Sequence, residues 1–288
     1  MGSGLRFSPA LLARPVLLAL VAVAPVGCEN SLPNDLAFGG GSASDGGSAS
    51  ALGNGQRIRD IMNPSLKGHP ASGALVTITG ATYLTTDTYD ETHDGKSKGT
   101  VYIQDVPANA TTMLPYSGAS LYSPTYLPAN LRPAPGDVLD LVGTYSFSAS
   151  LGAATFTPGT GLVQISKPVV QPRFEYELPA PTVISVSDLD DYQKGLQWNG
   201  MLVTVENVVL PDSLVNGGTG RWTVHISSDV STNGPTLANE LFDVSTWNSA
   251  QATPPLAAGQ TLKSVTGIVT WFFNYHVCPR SPADIVVQ

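Results

Sequence analysis

The chain has 288 residues, of which 42% are hydrophobic and only 12% charged, with 14 Lys and Arg against 22 Asp and Glu. The net charge of −8 repels phosphate backbones, and the basic residues form no run of three, which argues against a nucleic-acid partner. Gly (29) and Pro (23) are frequent and long helical periodicity is missing, so a helical cytosolic protein is excluded and an extracellular β-rich one expected.

At the N-terminus, Arg6 and Arg14 precede the apolar run 16–24, a charged region before a core too short to span a bilayer. Pro25-Val-Gly-Cys28 follows and resembles a bacterial lipobox, with Pro25 where Leu is usual. The resemblance implies a signal peptide over 1–27 and lipidation of Cys28, with several acyl chains giving a stable anchor. The alternative is a plain secretory signal with Cys28 left as a thiol. Cleavage before Cys28 removes two cations and no acid, which takes the charge to about −10. Residues 28–56 then form a lipidated, flexible tether. Its Gly/Ser-rich stretch 39–50 has no apolar face to bury and is expected to be disordered.

The first module is expected over 57–178. Ile58 and Ile61 form a lead-in, and a Gly-led β-branched run at 73–81 begins a strand over 75–83. A loop over 87–99 leads to a strand over 100–105, with Val101 and Ile103 on one face and Tyr102 and Gln104 on the other. Asp90, Thr92, Asp94 and Gly95 match the opening of a calcium loop, but Val101 stands where the bidentate Glu belongs, so an Asp-Gly turn is the favoured reading and no metal is assigned. The segment 116–135 reads as an irregular crossover, 135–145 as a turn and strand, and 162–165 as a closing strand. Residues 167–172 and 178–182 read as a Pro-rich joint.

The second module, 179–288, repeats the order. Residues 183–189 are its lead-in, and the run 73–81 returns at 200–208. Residues 221–226 alternate, with Trp222, Val224 and Ile226 on one face. A Gly-led strand over 258–267 and closing strands over 268–287 complete it, with Asn274 at a hairpin tip. Each module carries a full strand set and is expected to fold alone. Cys278 has no intrachain partner if Cys28 is lipidated, and reads as a buried thiol.

This order, with Val101-Tyr-Ile-Gln-Asp105, the Gly136–Gly143 strand and Pro279-Arg-Ser-Pro-Ala-Asp-Ile285, resembles the OB-like domains of secreted bacterial nucleases and related surface proteins. The resemblance implies an all-β chain of two tandem OB-like five-stranded Greek-key barrels after the tether. An OB-fold binds ligands on strands 2–3 and the flanking loops. In those nucleases the catalytic domain is separate, so no catalytic residue carries over and no cofactor is implied.

His69, His93, His225 and His276 stand in no metal-binding spacing, and the common nucleophile and phosphate-loop motifs are missing. Tyr83, Tyr102 and Tyr122 in the first module, and Trp271 and Tyr275 in the second, are candidates for stacking on a ligand; Trp222 and Phe272 read as core. The expected function is a lipid-anchored envelope protein, placed in the outer membrane, that binds protein or glycan or acts as a spacer without catalysis. The alternatives are a nucleic-acid-binding accessory of an extracellular nuclease system and a hydrolase. A local basic cluster would favour the former, and a cleft with converging carboxylates the latter.

Overall fold

The computed structural model describes residues 55–95, 98–106, 114–122, 133–148, 161–218, 220–229, 231, 234–247 and 256–288. The expected signal segment over 1–27, Cys28 and most of the expected tether lie outside the described residues. Among the described residues no helix is long and apolar enough to cross a membrane. The fold is all-β, with a few helical turns.

The first module contains helix α1 (Ile58–Met62) and strands β1 (Leu75–Thr86), β2 (Val101–Asp105), β3 (Gly118–Tyr122), β4 (Asp137–Ser148) and β5 (Leu162–Glu175). They pair in the circular order β1-β2-β3-β5-β4, with β4 returning to β1. Only the β3–β5 pairing is parallel. Ile78, Ile103, Leu141 and Ile165 fill the inside, and Ile58 and Ile61 of α1 pack onto them. The Asp105 carboxylate holds α1 in place by accepting the Ile58 and Arg59 N–H groups at 2.8 and 3.1 Å, which satisfies donors that a helix start leaves unpaired.

Two strand assignments differ from the sequence expectation. Residues 167–172 belong to β5 rather than to a joint. Pro172 faces Leu139, and the register of β4 against β5 shifts beside it and again between Val142 and Thr144. Bulges of this kind accommodate residues that cannot donate to the ladder. The second difference is β3, a real strand inside the supposed crossover. Its Gly, Ala and Ser carry little intrinsic strand preference, and pairing with β2 and β5 supplies what propensity lacks.

The second module contains β6 (Thr182–Ile184), α2 (Tyr192–Gly195), β7 (Leu202–Val209), β8 (Val215–Asn216), β9 (Trp222–His225), β10 (Thr236–Ala238), β11 (Thr261–Phe272), β12 (Asn274–Cys278) and β13 (Ile285–Val287). The path β7-β11-β12-β10-β9 repeats the order of the first module, and β10–β12, like β3–β5, is its parallel pairing. A bridge between Val209 and Ser227 links β7 back toward β9. Val205, Val224, Ile226, Val265 and Val277 form the core, with Trp222 packed against it. The hairpin tip is Phe273 rather than Asn274, because Asn274 already pairs with Phe272.

The modules are not two separate bodies on a joint. Tyr102 and Leu84 of the first form a buried cluster with Leu202 and Ile268 of the second. The buried Leu202 N–H donates to Gln104 Oε1 at 2.8 Å, and Tyr116 N–H donates to Gln197 O at 2.7 Å. The backbones nearly touch: a Cβ on Gly118 would lie 2.5 Å from Gly200 C, and one on Gly200 would lie 2.7 Å from Ala119 N. All five residues of β2 are buried for this reason, one face by the first core and the other by the second module. Independent folding of residues 179–288, expected from the strand count, would leave Leu202 and Ile268 uncovered and the Leu202 N–H without its partner.

Candidate functional site

A cleft of about 370 Å³ opens at this seam. From the first module it is lined by Asp87 and Glu91 of the loop after β1, by Thr100 and Tyr102, by Ser120 and Tyr122 of β3, and by Gln164 of β5. The second module contributes Asn199, Arg221, Glu240, and Thr270, Trp271 and Phe272 at the end of β11.

The aromatic wall rests on a built support. Trp271 packs edge-on against Tyr192 and Tyr275, each with its ring centroid at 4.8 Å. Tyr275 is buried, and its hydroxyl donates to Tyr192 O at 2.8 Å; the Tyr192 hydroxyl donates to Gly161 O at 2.9 Å. Burial pushes the Tyr192 phenol up to about 12 and the Tyr275 phenol higher, so both remain donors at any physiological pH. Below them His276 bonds Thr236 through Nδ1 and Phe272 O through Nε2, at 3.0 Å for the latter. A ring that donates to Phe272 O from Nε2 accepts from the threonine hydroxyl. His276 therefore anchors the hairpin that carries Trp271 and Phe272.

The polar wall carries three carboxyl groups and one guanidinium. Glu91 Oε1 pairs with Arg221 Nη2 at 2.9 Å, and the same guanidinium lies over the Phe272 ring, 4.5 Å from its centroid. Gly220 brings this strand start against the loop: a Cβ there would lie 1.9 Å from Glu91 O, and its φ is +85°. Glu240 Oε1 accepts the Thr270 hydroxyl at 3.0 Å, and Thr270 Oγ1 lies 3.4 Å from Cys278 Sγ. Cys278 is buried and free, and burial, with Glu240 nearby, drives its thiol well above the usual range; it is inert as a nucleophile.

The carboxyls are held far from their ordinary behaviour. Burial, reinforced by Glu91 and Glu240, raises Asp87 to about 8. Burial raises Glu91 to about 7, and the attraction of Arg221 only partly offsets it. Both groups carry protons for much of the time at neutral pH. Glu91 is 2% exposed, and its Oε2 has no hydrogen-bond partner; the indole N–H of Trp271 is likewise buried without one.

Of the five stacking candidates, Tyr102, Tyr122 and Trp271 line this cleft. Tyr102 is only 6% exposed and seals the seam at the cleft floor, so it offers no open platform. Tyr83 packs in the first core with its hydroxyl 2.6 Å from Thr86 Oγ1, and Tyr275 lies behind Trp271; neither reaches a ligand. In the calcium-like loop, Asp90 Oδ2 accepts the Gly95 N–H at 2.7 Å, which is a turn. Thr92 and Asp94 flank it, and among the described residues no group of His, Cys, Asp or Glu has a metal-holding arrangement.

Sequence reasoning missed Asp87, Glu91, Arg221 and Glu240. Glu91 sits in the calcium-like loop, but a ligand frame that takes every second residue from Asp90 steps over it. No signal in the sequence links these four positions, since the seam alone brings them together. No protein-family model matches the chain, and no curated protein is similar to it.

Proposed function

We propose that the protein is an exported lipoprotein of two OB-like modules, anchored in the bacterial envelope through Cys28, whose seam cleft binds a glycan. The carboxyls of Asp87, Glu91 and Glu240 that converge there are the feature that favours the hydrolase alternative, and cleavage of a bound oligosaccharide would decide for it. The observation that carries this reading is the two-sided cleft. Trp271 and Tyr122 supply aromatic lining suited to the C–H surface of a sugar, while Glu91, Arg221, Gln164 and Asn199 supply hydrogen-bonding groups suited to its hydroxyls. A sugar hydroxyl both donates and accepts. Among the residues that line the cleft, Glu91 Oε2 and Trp271 Nε1 are left without a partner, and a sugar hydroxyl supplies the donor and the acceptor they lack.

The OB-like reading draws support from the repeated circular strand order with its parallel pairing. In that fold the ligand face is strands 2 and 3. Tyr102 on β2 and Ser120 and Tyr122 on β3 line the cleft. Three carboxyls against one guanidinium make it a poor place for a nucleic-acid phosphate.

Binding of the mature protein to a glycan array tests this. At least one class of oligosaccharide is expected to bind, with affinity reduced about tenfold in Tyr122→Ala, a change of roughly one stacking contact. Tyr122 is 39% exposed, so its loss should leave the melting temperature unchanged. An array with no binder overturns the reading.

Anchoring has its own test. Cys28→Ala is expected to abolish incorporation of an alkyne fatty acid and to move the protein from the membrane to the soluble fraction or leave it unprocessed. Equal labelling of the variant and the wild type rejects the lipid anchor.

A further inference from the structure

We propose that the group taken deepest in the cleft is an ammonium, primary or substituted, of the kind carried by an amino sugar. The inference rests on the glycan reading and narrows its ligand class.

The first ground is the imbalance of charge. Asp87, Glu91 and Glu240 share the cleft with Arg221. Arg221 is committed to Glu91 on one side and to the Phe272 ring on the other. Among the described residues Asp87 and Glu240 have no ion pair. Glu240 receives one hydroxyl hydrogen bond from Thr270, and Asp87 Oδ1 receives the Tyr89 N–H at 3.1 Å. Once Asp87 and Glu91 ionise, one guanidinium does not balance three carboxylates, and a ligand that brought only hydroxyls would supply no counter-charge.

The second ground is Glu91 itself. Its side chain is almost wholly buried, yet Oε2 has no partner, while Oε1 is bound to Arg221. A primary ammonium has three donors and no acceptor, which suits carboxylates that already accept from only one side, while a fully substituted one offers the charge alone. The third ground is the aromatic lining. Phe272 already carries a guanidinium on its face, and Trp271 and Tyr122 stand in the same cleft. Aromatic rings combined with carboxylates are the chemistry by which ammonium groups are recognised.

Binding of a cation has a proton cost that can be measured. The groups that face Asp87 are Glu91, Glu240, Arg221, Tyr102 and Cys278. Those that face Glu91 are Asp87, Tyr89, Asp90, Tyr102, Glu240 and Arg221. With no ligand, Asp87 and part of the Glu91 population hold protons at neutral pH. An ammonium favours the carboxylates, so each binding event displaces protons to solvent. A neutral sugar displaces none.

Calorimetry on the mature, full-length protein decides this. The probes are a tetramer of glucosamine, its fully N-acetylated form, its N-trimethylated form and spermidine, in two buffers of different ionisation enthalpy. The glucosamine tetramer should bind about tenfold or more tighter than the acetylated one near pH 6, a difference expected of charge-assisted hydrogen bonds. The trimethylated tetramer, whose charge does not titrate, should bind with proton release and gain affinity between about pH 6 and 8. Asp87→Asn and Glu240→Gln should each reduce the preference for the free amine about fivefold or more.

Equal affinity for the free and acetylated tetramers, with no proton release, overturns the ammonium inference and leaves the glycan reading standing. Binding of spermidine with no binding of any tetramer supports the ammonium site and overturns the glycan reading. Failure of all four probes removes the ammonium inference.

Discussion

Gly118→Val is expected to cost about 4 kcal/mol or more, which for a folded body of this size lowers the melting temperature by roughly 8–16 °C. Gly118 opens β3 and faces the second module at backbone distance. Its Cβ would lie 2.5 Å from Met201 N and Gly200 C and 2.6 Å from Met201 Cγ. Two of those three atoms are backbone and cannot rotate away. Either β3 leaves β2 and β5, or the modules separate and expose Leu202 and Ile268. Gly68→Ala is the control, because a Cβ at Gly68 meets nothing within 4 Å. It should change stability by no more than about 0.5 kcal/mol. Thermal denaturation of the two variants beside the wild type makes the comparison. Equal melting temperatures for all three would show that the seam yields freely and does not unite the modules. Ser120 and Tyr122 lie on β3, so the same substitution should also disorganise one wall of the cleft.

Much of the fold was legible because its signals are local. The run at 73–81 and its echo at 200–208 mark β1 and β7, and the alternation at 221–226 separates Val224 and Ile226 correctly onto the core side. The lead-in residues Ile58 and Ile61 enter the first core, and from the second lead-in, 183–189, Ile184, Val186 and Leu189 enter the second core while Val183 stays exposed. What stayed hidden depends on pairing across long distances. The residues of β3 and β10 carry too little strand propensity to announce themselves, and Pro168 and Pro172 imitate a linker while lying in a bulged strand. The candidate site was hidden for the same reason. The sequence divides β2 correctly into two faces, but it cannot say that the face with Tyr102 and Gln104 meets a second module instead of water. Exposure was therefore overestimated for Tyr102, and the charged lining of the seam was not seen at all. Glu91 and Arg221 stand 130 positions apart in sequence and meet only because Gly220 fits against the Glu91 carbonyl.

Stability is expected to fall as pH rises from about 4 to about 8, and Asp87→Asn should remove much of that fall. The sign follows from the direction of the shifts. Burial raises Asp87 to about 8, Glu91 to about 7 and Asp105 to about 7. In the unfolded chain these groups return to the ordinary carboxyl range of about 4. Below that range both states hold the protons and nothing is lost. Between the two values the folded chain keeps protons that the unfolded chain releases, so a rise in pH favours unfolding. Above about 8 both states are ionised and the loss stops growing. One such group changes stability by up to about 1.4 kcal/mol per pH unit inside its window. Asp105 also accepts two N–H groups from α1, and Glu91 pairs with Arg221, so each has a compensating bond. Asp87 accepts only the Tyr89 N–H among its assigned side-chain bonds and faces two other carboxyls, so it should dominate the slope. Asn keeps an oxygen for Tyr89 and carries no charge. Asp87→Asn should therefore leave the melting temperature near pH 4 within about 2 °C of the wild type and raise it near pH 8 by about 5 °C or more. Equal shifts at the two pH values would mean that Asp87 ionises normally in the folded cleft, and the proton release expected on cation binding would lose its source.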